Sequence, residues 1–529
     1  HMHEALGIDA SVNRMTPDDL ISAILRAPVD LLWNGGIGTY VRATSETDAQ
    51  VGDRANDPVR VTAKDVRAKA AGEGGNLGWT QAGRIEYARN GGRINTDFID
   101  NSAGVDTSDH EVNIKILLDA EVAAGRISEQ ERDELLPAMA DDVASLVLRH
   151  NHSQNLALAN ALSSDGPTAG VLEAWMCELE ESGHLDRAVD TMPSTTEMNR
   201  RMAAGERLAS PELCTLLAWT KIALCDAVLA TDLPEDPFVA DRLVGYFPPL
   251  LRERFTERMP THRLHREIIT TEAVNRFVDS QGITAYYRLH LQTGADIAQV
   301  IRCQLAARSV FGLGRVETDL THLGLDAVRT AKIRLALTDL AMHTTRWFLN
   351  HGGADDIAGT IETYRPGVAT LVEKLSERLL GDSADAWQEK VDEVTELGLD
   401  RSDAAVVAAY DWSPVLLSIV EISEEGHSLD EVADAYLTLA RRVDMIRLTR
   451  LVEQLPQDRP TDARVRASLR EDLLRVMSDA TRRALVIGTD NVLADGGRIV
   501  KSIAANPDLA HCVVMVSDLR SAVGQEVTL

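Results

Sequence analysis

Residues 72–111 read GEGGNLGWTQAGRIEYARNGGRINTDFIDNSAGVDTSDHE, and this stretch decides the fold of the N-terminal part of the chain. A glycine-rich loop opens it, and a helix is predicted from about Thr80 to Arg89, ended by Asn90-Gly91-Gly92. A strand is predicted from Arg93 to Asp100, followed by a loop of small polar residues. This order is typical of a βαβ unit, in which ligands bind beyond the carboxyl ends of the strands.

Two more strands and a helix are predicted upstream. Thr16-Pro17-Asp18-Asp19 indicates a helix over about Pro17–Arg26, with a capping residue and a proline in the first turn. Val29–Trp33 is almost continuously apolar, which is typical of a strand covered on both faces. Val66–Ala71 is the second strand. A glycine-bearing loop follows each of the three strands: Asn34–Gly38, Gly72–Asn76 and Asn101–Gly104.

The glycine fingerprint of a dinucleotide-binding turn, G-x-G-x-x-G, is absent from the sequence. The first βα turn that would cradle a pyrophosphate is therefore missing. We predict an α/β, partial Rossmann-like domain over residues 1–130, corresponding to the C-terminal half of a parallel sheet.

Residues 131–529 are predicted to form a large, mainly α-helical domain, either single or divided into two subdomains. Ser210-Pro211-Glu212 indicates a helix start, and the apolar run after it predicts a buried core helix. Ser428 opens a capping box. The apolar stripe of the helix that follows consists of Val432, Tyr436, Leu439, Val443 and Ile446. Short strands are possible only near Leu485–Ile487 and Val513–Val516.

Composition excludes several classes of function. A chain of 529 residues with 44% hydrophobic residues should form at least two domains. The formal net charge of −28 argues against a nucleic-acid or anionic-membrane surface, since phosphate binding needs clustered Lys and Arg. Five scattered cysteines without a CxxC pair indicate reduced thiols, a cytoplasmic location and no zinc site. We expect no metal site and no secretory signal.

Each candidate loop has a functional and a structural interpretation. Asn34-Gly35-Gly36 and Gly74-Gly75-Asn76 could let a flat ring approach the backbone while an amide contacts a carboxamide, but both are also ordinary turn sequences. Ser108 could bind a carboxylate in the first turn of a helix, or Asp106, Thr107 and Ser108 could simply cap that helix. The residues alone leave the choice at Ser108 open. His150 and His152 are expected to be structural.

Several motifs together resemble the large bacterial NAD-dependent glutamate dehydrogenases, a family of very long subunits. The resemblance covers nearly the whole chain. Besides residues 72–111, the motifs that carry it are Asp30-Leu31-Leu32-Trp33-Asn34-Gly35-Gly36-Ile37-Gly38-Thr39-Tyr40-Val41, Gly52-Asp53-Arg54-Ala55-Asn56-Asp57, Ser210-Pro211-Glu212-Leu213, Tyr246-Phe247-Pro248 and His265-Arg266-Glu267-Ile268-Ile269-Thr270.

A more distant resemblance, to the small hexameric glutamate dehydrogenases, implies roles for individual residues. Glu73-Gly74-Gly75-Asn76 is similar to their Glu-Gly-Ala-Asn loop, and residues 101–108 are similar to their Asn-Ala-Gly-Gly-Val-Thr-Val-Ser. Asn76 would then lie near the nicotinamide and its ribose in NAD, and Asn101 beside the nicotinamide carboxamide. Asn34, Gly35 and Gly36 are assigned to the cofactor as well, from their place in the loop after the first strand. Gly104 and Val105 would line the substrate pocket, and Ser108 would bind the side-chain carboxylate of L-glutamate. Ser102-Ala103 and Asp106 depart from that pattern.

The resemblance implies oxidative deamination of L-glutamate to 2-oxoglutarate and ammonia in a homo-oligomer. The proton-transferring lysine and aspartate of the small enzymes precede the dinucleotide fold, so we expect no catalytic residue in this chain. The chain is thus expected to be a C-terminal piece that is inactive alone. The alternative is a helical oligomerisation or regulatory module carrying a non-catalytic Rossmann remnant.

Overall fold

The computed structural model describes residues 2–163, 168–455, 460–494, 496 and 508–524. The chain divides into two compact units, His1–Thr284 and Ala285–Leu529. The first unit thus includes many helices beyond the predicted boundary at residue 130. The predicted boundary at residue 130 marks the end of the nucleotide-binding domain, not the end of a compact unit, and it stays a prediction.

The strands of the first unit form two small parallel pairs. Strand β1 (Leu31–Asn34) pairs with β4 (Ala70–Glu73), and Trp33 lies opposite Gly72 in this register. Strand β2 (Val41–Arg42) pairs with β3 (Val61–Thr62). Both pairs are parallel, because helices and loops connect their strands; this pairing was predicted for β1 and β4, whereas β2 and β3 were not predicted.

Helices make up most of the first unit. They are α1 Met2–Leu6, α2 Pro17–Leu25, α3 Asp48–Val51, α4 Gln81–Arg89, α5 Asp97–Asp100, α6 Ala103–Ala123, α7 Glu129–Ala138, α8 Ala140–Leu162, α9 Ala169–Glu181, α10 Thr195–Ala203, α11 Ser210–Leu229, α12 Pro237–Ala240, α13 Arg242–Tyr246, α14 Pro249–Phe255 and α15 His265–Gln281. The predicted starts of α2, α4 and α11 are confirmed. Thr16 and Thr80 cap α2 and α4 by accepting from the backbone N–H three residues on.

A small apolar core holds the strands against α4. Its buried members are Val41, Val61, Ala63, Val66, Ala68, Ala71, Trp79, Tyr87 and Ile94. Leu32 of β1 packs against this core from the rim. The core therefore fixes the strand ends from which the candidate loops emerge.

Three strand predictions need correction. The second strand, predicted over Val66–Ala71, is Ala70–Glu73, because a short 3-10 turn occupies Ala63–Asp65 and delays pairing. The third strand is reduced to a single parallel bridge between Arg93 and Ala70. Thr96 adopts the extended conformation of an N-cap residue, and the chain turns into α5 instead of continuing as a strand. The prediction that β1 is covered on both faces is also wrong: Leu31 and Trp33 are 57% and 58% exposed, since their face carries no packed layer among the described residues.

The second unit is helical throughout its described part, which confirms the prediction of a mainly helical domain. Its helices are α16 Ala285–Thr293, α17 Ile297–Val310, α18 Leu313–His322, α19 Ala327–Asn350, α20 Ile357–Arg378, α21 Asp382–Glu396, α22 Arg401–Ala408, α23 Ser413–Ser423, α24 Leu429–Arg442, α25 Met445–Glu453, α26 Pro460–Ile487 and α27 Leu509–Gly524. The Ser428 capping box is present at α24. Val432, Tyr436, Leu439 and Val443 are fully buried, as predicted. The stripe does not stay on one helix, however, since α24 ends at Arg442 and Ile446 lies half-buried in α25.

The two short strands predicted in this region are wrong. Leu485–Ile487 ends α26, and Val513–Val516 lies inside α27. Both are short apolar runs, which do not by themselves distinguish a strand from a buried helix segment. No single helix in the described ranges is long and apolar enough to cross a membrane; one pair, 401–411 with 413–423, meets that test jointly but is bent by 90°.

His351, just after α19, binds two carboxylates within the second unit. Its Nδ1 lies 3.0 Å from Glu421 Oε1 and its Nε2 lies 3.2 Å from Glu471 Oε1. The ring stacks on Trp347 at a centroid distance of 4.1 Å. Burial disfavours the charged imidazole, but the Glu421 carboxylate, which accepts from the ring, and the neighbouring Glu471 carboxylate outweigh it and raise the pKa of His351 to about 9.

We predict that His351 makes the second unit less stable in alkali. The pKa of His351 in the folded chain is raised above the ordinary value of 6.5. Its contribution to the free energy of unfolding is therefore complete below pH 6.5 and is lost as the pH rises through about 9. The expected loss is roughly 3 kcal/mol. It is measured by urea unfolding of the chain across this range.

The matched variants are His351→Gln and, as a control, His427→Gln at an exposed position. His351→Gln should flatten the pH dependence over this window, whereas His427→Gln should leave it unchanged. An unchanged slope in His351→Gln would contradict the assignment.

Candidate functional site

The three predicted loops meet at one end of the β1–β4 pair. Gly74 N donates to Asn34 O at 2.9 Å, which joins the first loop to the second. Asn101 Nδ2 donates to Asn76 Oδ1 at 3.2 Å, which joins the second to the third. The structure thus brings together residues that are up to 67 positions apart in the chain.

Glycine is required where these loops approach each other. A Cβ on Gly75 would lie 2.8 Å from Gly36 O, closer than a real contact allows. A Cβ on Gly72 or Gly74 would lie 2.8 or 2.6 Å from the Trp33 ring. The indole therefore lies against Gly72 of β4 and Gly74 of the loop, where a side chain would displace it, whereas a side chain at Gly75 would meet the backbone of the first loop.

Glu73 is fully buried and anchors the second loop to α4. Arg84 donates to both of its oxygens, Nε to Oε2 at 2.7 Å and Nη2 to Oε1 at 2.9 Å. Trp79 N also donates to Oε1, at 3.0 Å. Burial raises the pKa of Glu73, while the hydrogen bonds from Arg84 oppose the rise.

Asp97 and Asp100 of α5 extend this anchor to the third loop. Asp97 Oδ2 lies 3.2 Å from Arg84 Nη2 and accepts from Leu77 N at 2.7 Å. Asp100 Oδ2 accepts from Glu73 N at 3.1 Å. The loop that carries Asn76 is therefore held at both sides, by α4 and by α5.

Helix α6 begins earlier than predicted. It starts at Ala103, and the short polar stretch before it forms the turn after α5, with Gly104 N donating to Asn101 O. Ser108 consequently lies in the second turn, and neither caps the helix nor lies at its N-terminus. Its hydroxyl donates to Val105 O at 2.7 Å. The helix-capping interpretation of Ser108 is wrong, and so is its placement in the first turn.

Helix α6 carries two different faces. Successive residues of a helix are turned by about 100°, so Gly104, Val105 and Ser108 share one side. All three are exposed, Val105 to 73%. The predicted substrate-binding residues thus form a continuous exposed surface beside Asn101.

The opposite face of α6 contains a polar cluster that sequence reasoning did not find. Asp106, His110 and His150 of α8 have ligand-type atoms all within 4.8 Å of one another. Asp106 and His110 are four residues apart on one helix, but His150 is 44 residues from Asp106. The i,i+4 spacing of Asp106 and His110 was the one signal available in the sequence.

We predict that replacing Arg84, the buried partner of Glu73, will destabilise the first unit. Arg84→Met leaves Glu73 buried without its partner, which should cost about 3–5 kcal/mol. Urea unfolding of the first unit measures the loss. Adding Glu73→Gln to Arg84→Met should recover part of the stability, because the uncompensated charge is then gone.

Lys69→Met is the matched control, since Lys69 pairs with Asp30 on the surface at 2.7 Å, where both side chains are more than 80% exposed. It should cause no measurable change. Equal stability of Arg84→Met and the unaltered chain would show that the Glu73 anchor is unimportant.

Two family models match the chain over separate ranges. Residues 205–526 match the family model "Glutamate dehydrogenase, C-terminal". Residues 1–161 match "Bacterial NAD-glutamate dehydrogenase, catalytic domain".

Curated relatives named NAD-specific glutamate dehydrogenase align with most of the chain. The protein of Mycobacterium tuberculosis is 41% identical over 489 residues, covering 91% of this chain and 30% of the relative. The protein of Pseudomonas aeruginosa is 38% identical over 533 residues, covering 98% and 32%. The chain therefore spans about a third of the length of these relatives. Because the C-terminal family model matches more than half of it, the chain belongs to the glutamate dehydrogenase family.

Proposed function

We propose that this chain forms part of an NAD-dependent glutamate dehydrogenase that deaminates L-glutamate oxidatively to 2-oxoglutarate and ammonia. The observation that carries the proposal is the meeting of the three loops that resemble the family's nicotinamide and substrate loops. Their connection through Asn34, Gly74, Asn76 and Asn101 supports it. The names of the relatives also support it.

The loops fit a nicotinamide ring. NAD, when bound, supplies the hydride acceptor for the α-carbon of glutamate. Among the described residues, the hydrogen bond between Asn101 and Asn76 leaves the Asn76 amide N–H₂ and the Asn101 amide oxygen for a carboxamide. Asn34 Nδ2 is buried without a partner, and Gly36 has open space where a Cβ would be. In this proposal β1 and β4 belong to the C-terminal half of a Rossmann-like sheet.

The exposed face of α6 fits the carboxylate end of glutamate. Ser108 can turn its hydroxyl from Val105 O to a ligand oxygen, since that bond is local and exposed. Gly104 leaves room for the substrate, and Val105 offers an apolar contact to its methylene groups. These roles rest on the resemblance and on the common exposure of the three residues.

We propose that the chain alone is catalytically silent and works within a longer polypeptide, in a cytoplasmic homo-oligomer. Hydride transfer requires donor and acceptor to be held in close alignment. The resemblance assigns the proton-transferring lysine and aspartate to a substrate domain outside the motifs of this chain. The chain would then supply one wall of the active site.

The test measures NADH formation from glutamate and NAD by the full-length polypeptide, by its Ser108→Ala variant and by this chain alone. We expect turnover in the first, and in Ser108→Ala a KM for glutamate raised by roughly tenfold or more, the value of about one hydrogen bond to a charged group. We expect no turnover by this chain alone.

Thr107→Ala is the matched control, because it removes an exposed hydroxyl from the same turn of α6. It should retain the KM of the unaltered polypeptide. Equal KM values for Ser108→Ala and Thr107→Ala would contradict the role of Ser108. Turnover by this chain alone would contradict the proposed division of the active site.

One observation favours a regulatory role for the helical unit as a second candidate function. Arg346 and Arg470 are buried, and Arg346 Nη2 and Arg470 Nε have no hydrogen-bond partner among the described residues. Burial, followed by the nearby Arg470 charge, lowers the pKa of Arg346 well below its usual range. Arg346 Nη1 donates to Gln292 and Arg470 Nη1 lies 4.0 Å from Glu453, so the donors left without a partner in the described part are the ones that would bind an anionic effector.

The second candidate is tested by thermal unfolding of this chain with added phosphate, citrate or glutamate. A regulatory anion site predicts a rise in melting temperature that Arg346→Gln abolishes. Light scattering from the same samples reports whether an anion changes the oligomeric state. An equal rise in Arg346→Gln would contradict the candidate.

A further inference from the structure

The cluster of Asp106, His110 and His150 lies behind the proposed substrate face of α6. Asp106 Oδ2 is 2.9 Å from His150 Nδ1, and Asp106 Oδ1 is 3.7 Å from His110 Nε2. The two imidazoles stack at a centroid distance of 5.7 Å. The Asp106 carboxylate thus lies between an imidazole nitrogen of His110, on the same helix α6, and one of His150, on α8.

His110 gives a second, independent observation. The residue is fully buried, yet neither Nδ1 nor Nε2 has a hydrogen-bond partner in the described part of the chain. A buried polar group without a partner costs free energy, so it usually indicates an absent water or ion. Tyr246 stacks on the ring at 4.3 Å and keeps Nε2 directed towards Asp106.

We propose that Asp106, His110 and His150 form a binding site for Zn²⁺. Zinc binds imidazole nitrogen and carboxylate oxygen at 2.0–2.2 Å in tetrahedral geometry, which places neighbouring ligand atoms roughly 3.3 Å apart. The separations of 2.9 and 3.7 Å are close to this value but start from the two different oxygens of Asp106, and one ligand atom from each of the three residues lies within 4.8 Å of the others. Small rotations of the side chains would therefore complete the site.

Glu272 of α15 supplies the orienting contact that zinc-bound histidines usually have. Its Oε1 lies 3.9 Å from His150 Nε2, on the side of the ring away from Asp106. Such a carboxylate fixes the ring and directs the other nitrogen to the metal. Asp106, His150 and Glu272 each remain about a quarter exposed, which leaves a path for the ion and a fourth position for water.

The ion would fix the start of α6. Asp106 precedes Ser108 by two residues, and the metal would tie this turn to α8. The consequence for the enzyme rests on the proposed function: zinc would hold Ser108 in the orientation that receives the substrate carboxylate. This inference departs from the expectation, drawn from the cysteines, that the chain has no metal site.

The experiment uses this whole chain and needs no catalysis. After removal of metal with a chelator, Zn²⁺ is titrated by calorimetry, and Co²⁺ is added as a spectroscopic probe. We expect one Zn²⁺ per chain, a rise in the melting temperature of the first unit, and the intense visible bands of four-coordinate Co²⁺. Metal content and spectrum report on the site whether or not the enzyme proposal is correct.

The variants are His150→Gln and Asp106→Asn for the ligands, Glu272→Gln for the orienting group, and His152→Gln as the matched control on the same helix. The ligand variants should lose the Co²⁺ bands and the stoichiometric Zn²⁺. Glu272→Gln should weaken binding by roughly 10- to 100-fold. His152→Gln should bind as the unaltered chain does.

Circular dichroism and melting of the metal-free variants show whether they are folded. Asp106→Asn preserves the size of the side chain, so it stays a valid test even where His150→Gln unfolds. Absence of Co²⁺ bands in the unaltered chain, or equal binding by the unaltered chain and Asp106→Asn, would overturn the proposal. Failure of the NADH assay with an intact Co²⁺ spectrum would refute the proposed enzyme function alone.

Discussion

The ion pair between Glu73 and Arg84 is the interaction on which the candidate site depends. A fully buried carboxylate at the end of a strand is tolerated only when it is paired and its oxygens are hydrogen-bonded. Arg84 meets both oxygens, and the same guanidinium contacts Asp97 at the start of α5. One side chain therefore fixes α4, the loop after β4 and the approach to α6, and the convergence of the three loops follows.

Local signals in the sequence predicted much of this structure. Thr16, Thr80 and Ser428 each cap a helix. A cap needs only a side-chain oxygen that accepts from the backbone N–H three residues further along the chain. The burial of Val432, Tyr436 and Leu439 in α24 follows directly from their spacing of three and four, whereas the predicted stripe residues Val443 and Ile446 lie beyond the end of that helix. The mainly helical second unit could be predicted in the same way, because its helices bury regular apolar faces.

Other features depend on partners that are distant in the chain. The third strand fails because Thr96 and Asp97 favour a helix start over continued pairing. Ser108 was expected at a helix terminus, but the turn after α5 leads directly into α6 and moves that terminus to Ala103. The contacts of His110 with His150 and Tyr246 join three helices, and no local pattern encodes them.

The position of Trp33 has a spectroscopic consequence. Its indole lies over Gly72 and Gly74, beside the meeting point of the loops, and is 58% exposed. Five other tryptophans are at most 7% exposed: Trp79, Trp175, Trp347, Trp387 and Trp412. The seventh, Trp219, is half-buried, so Trp33 is the most exposed of the seven and a water-soluble quencher will act on it most strongly. The chain thus contains its own fluorophore for following what approaches that strand, without any label.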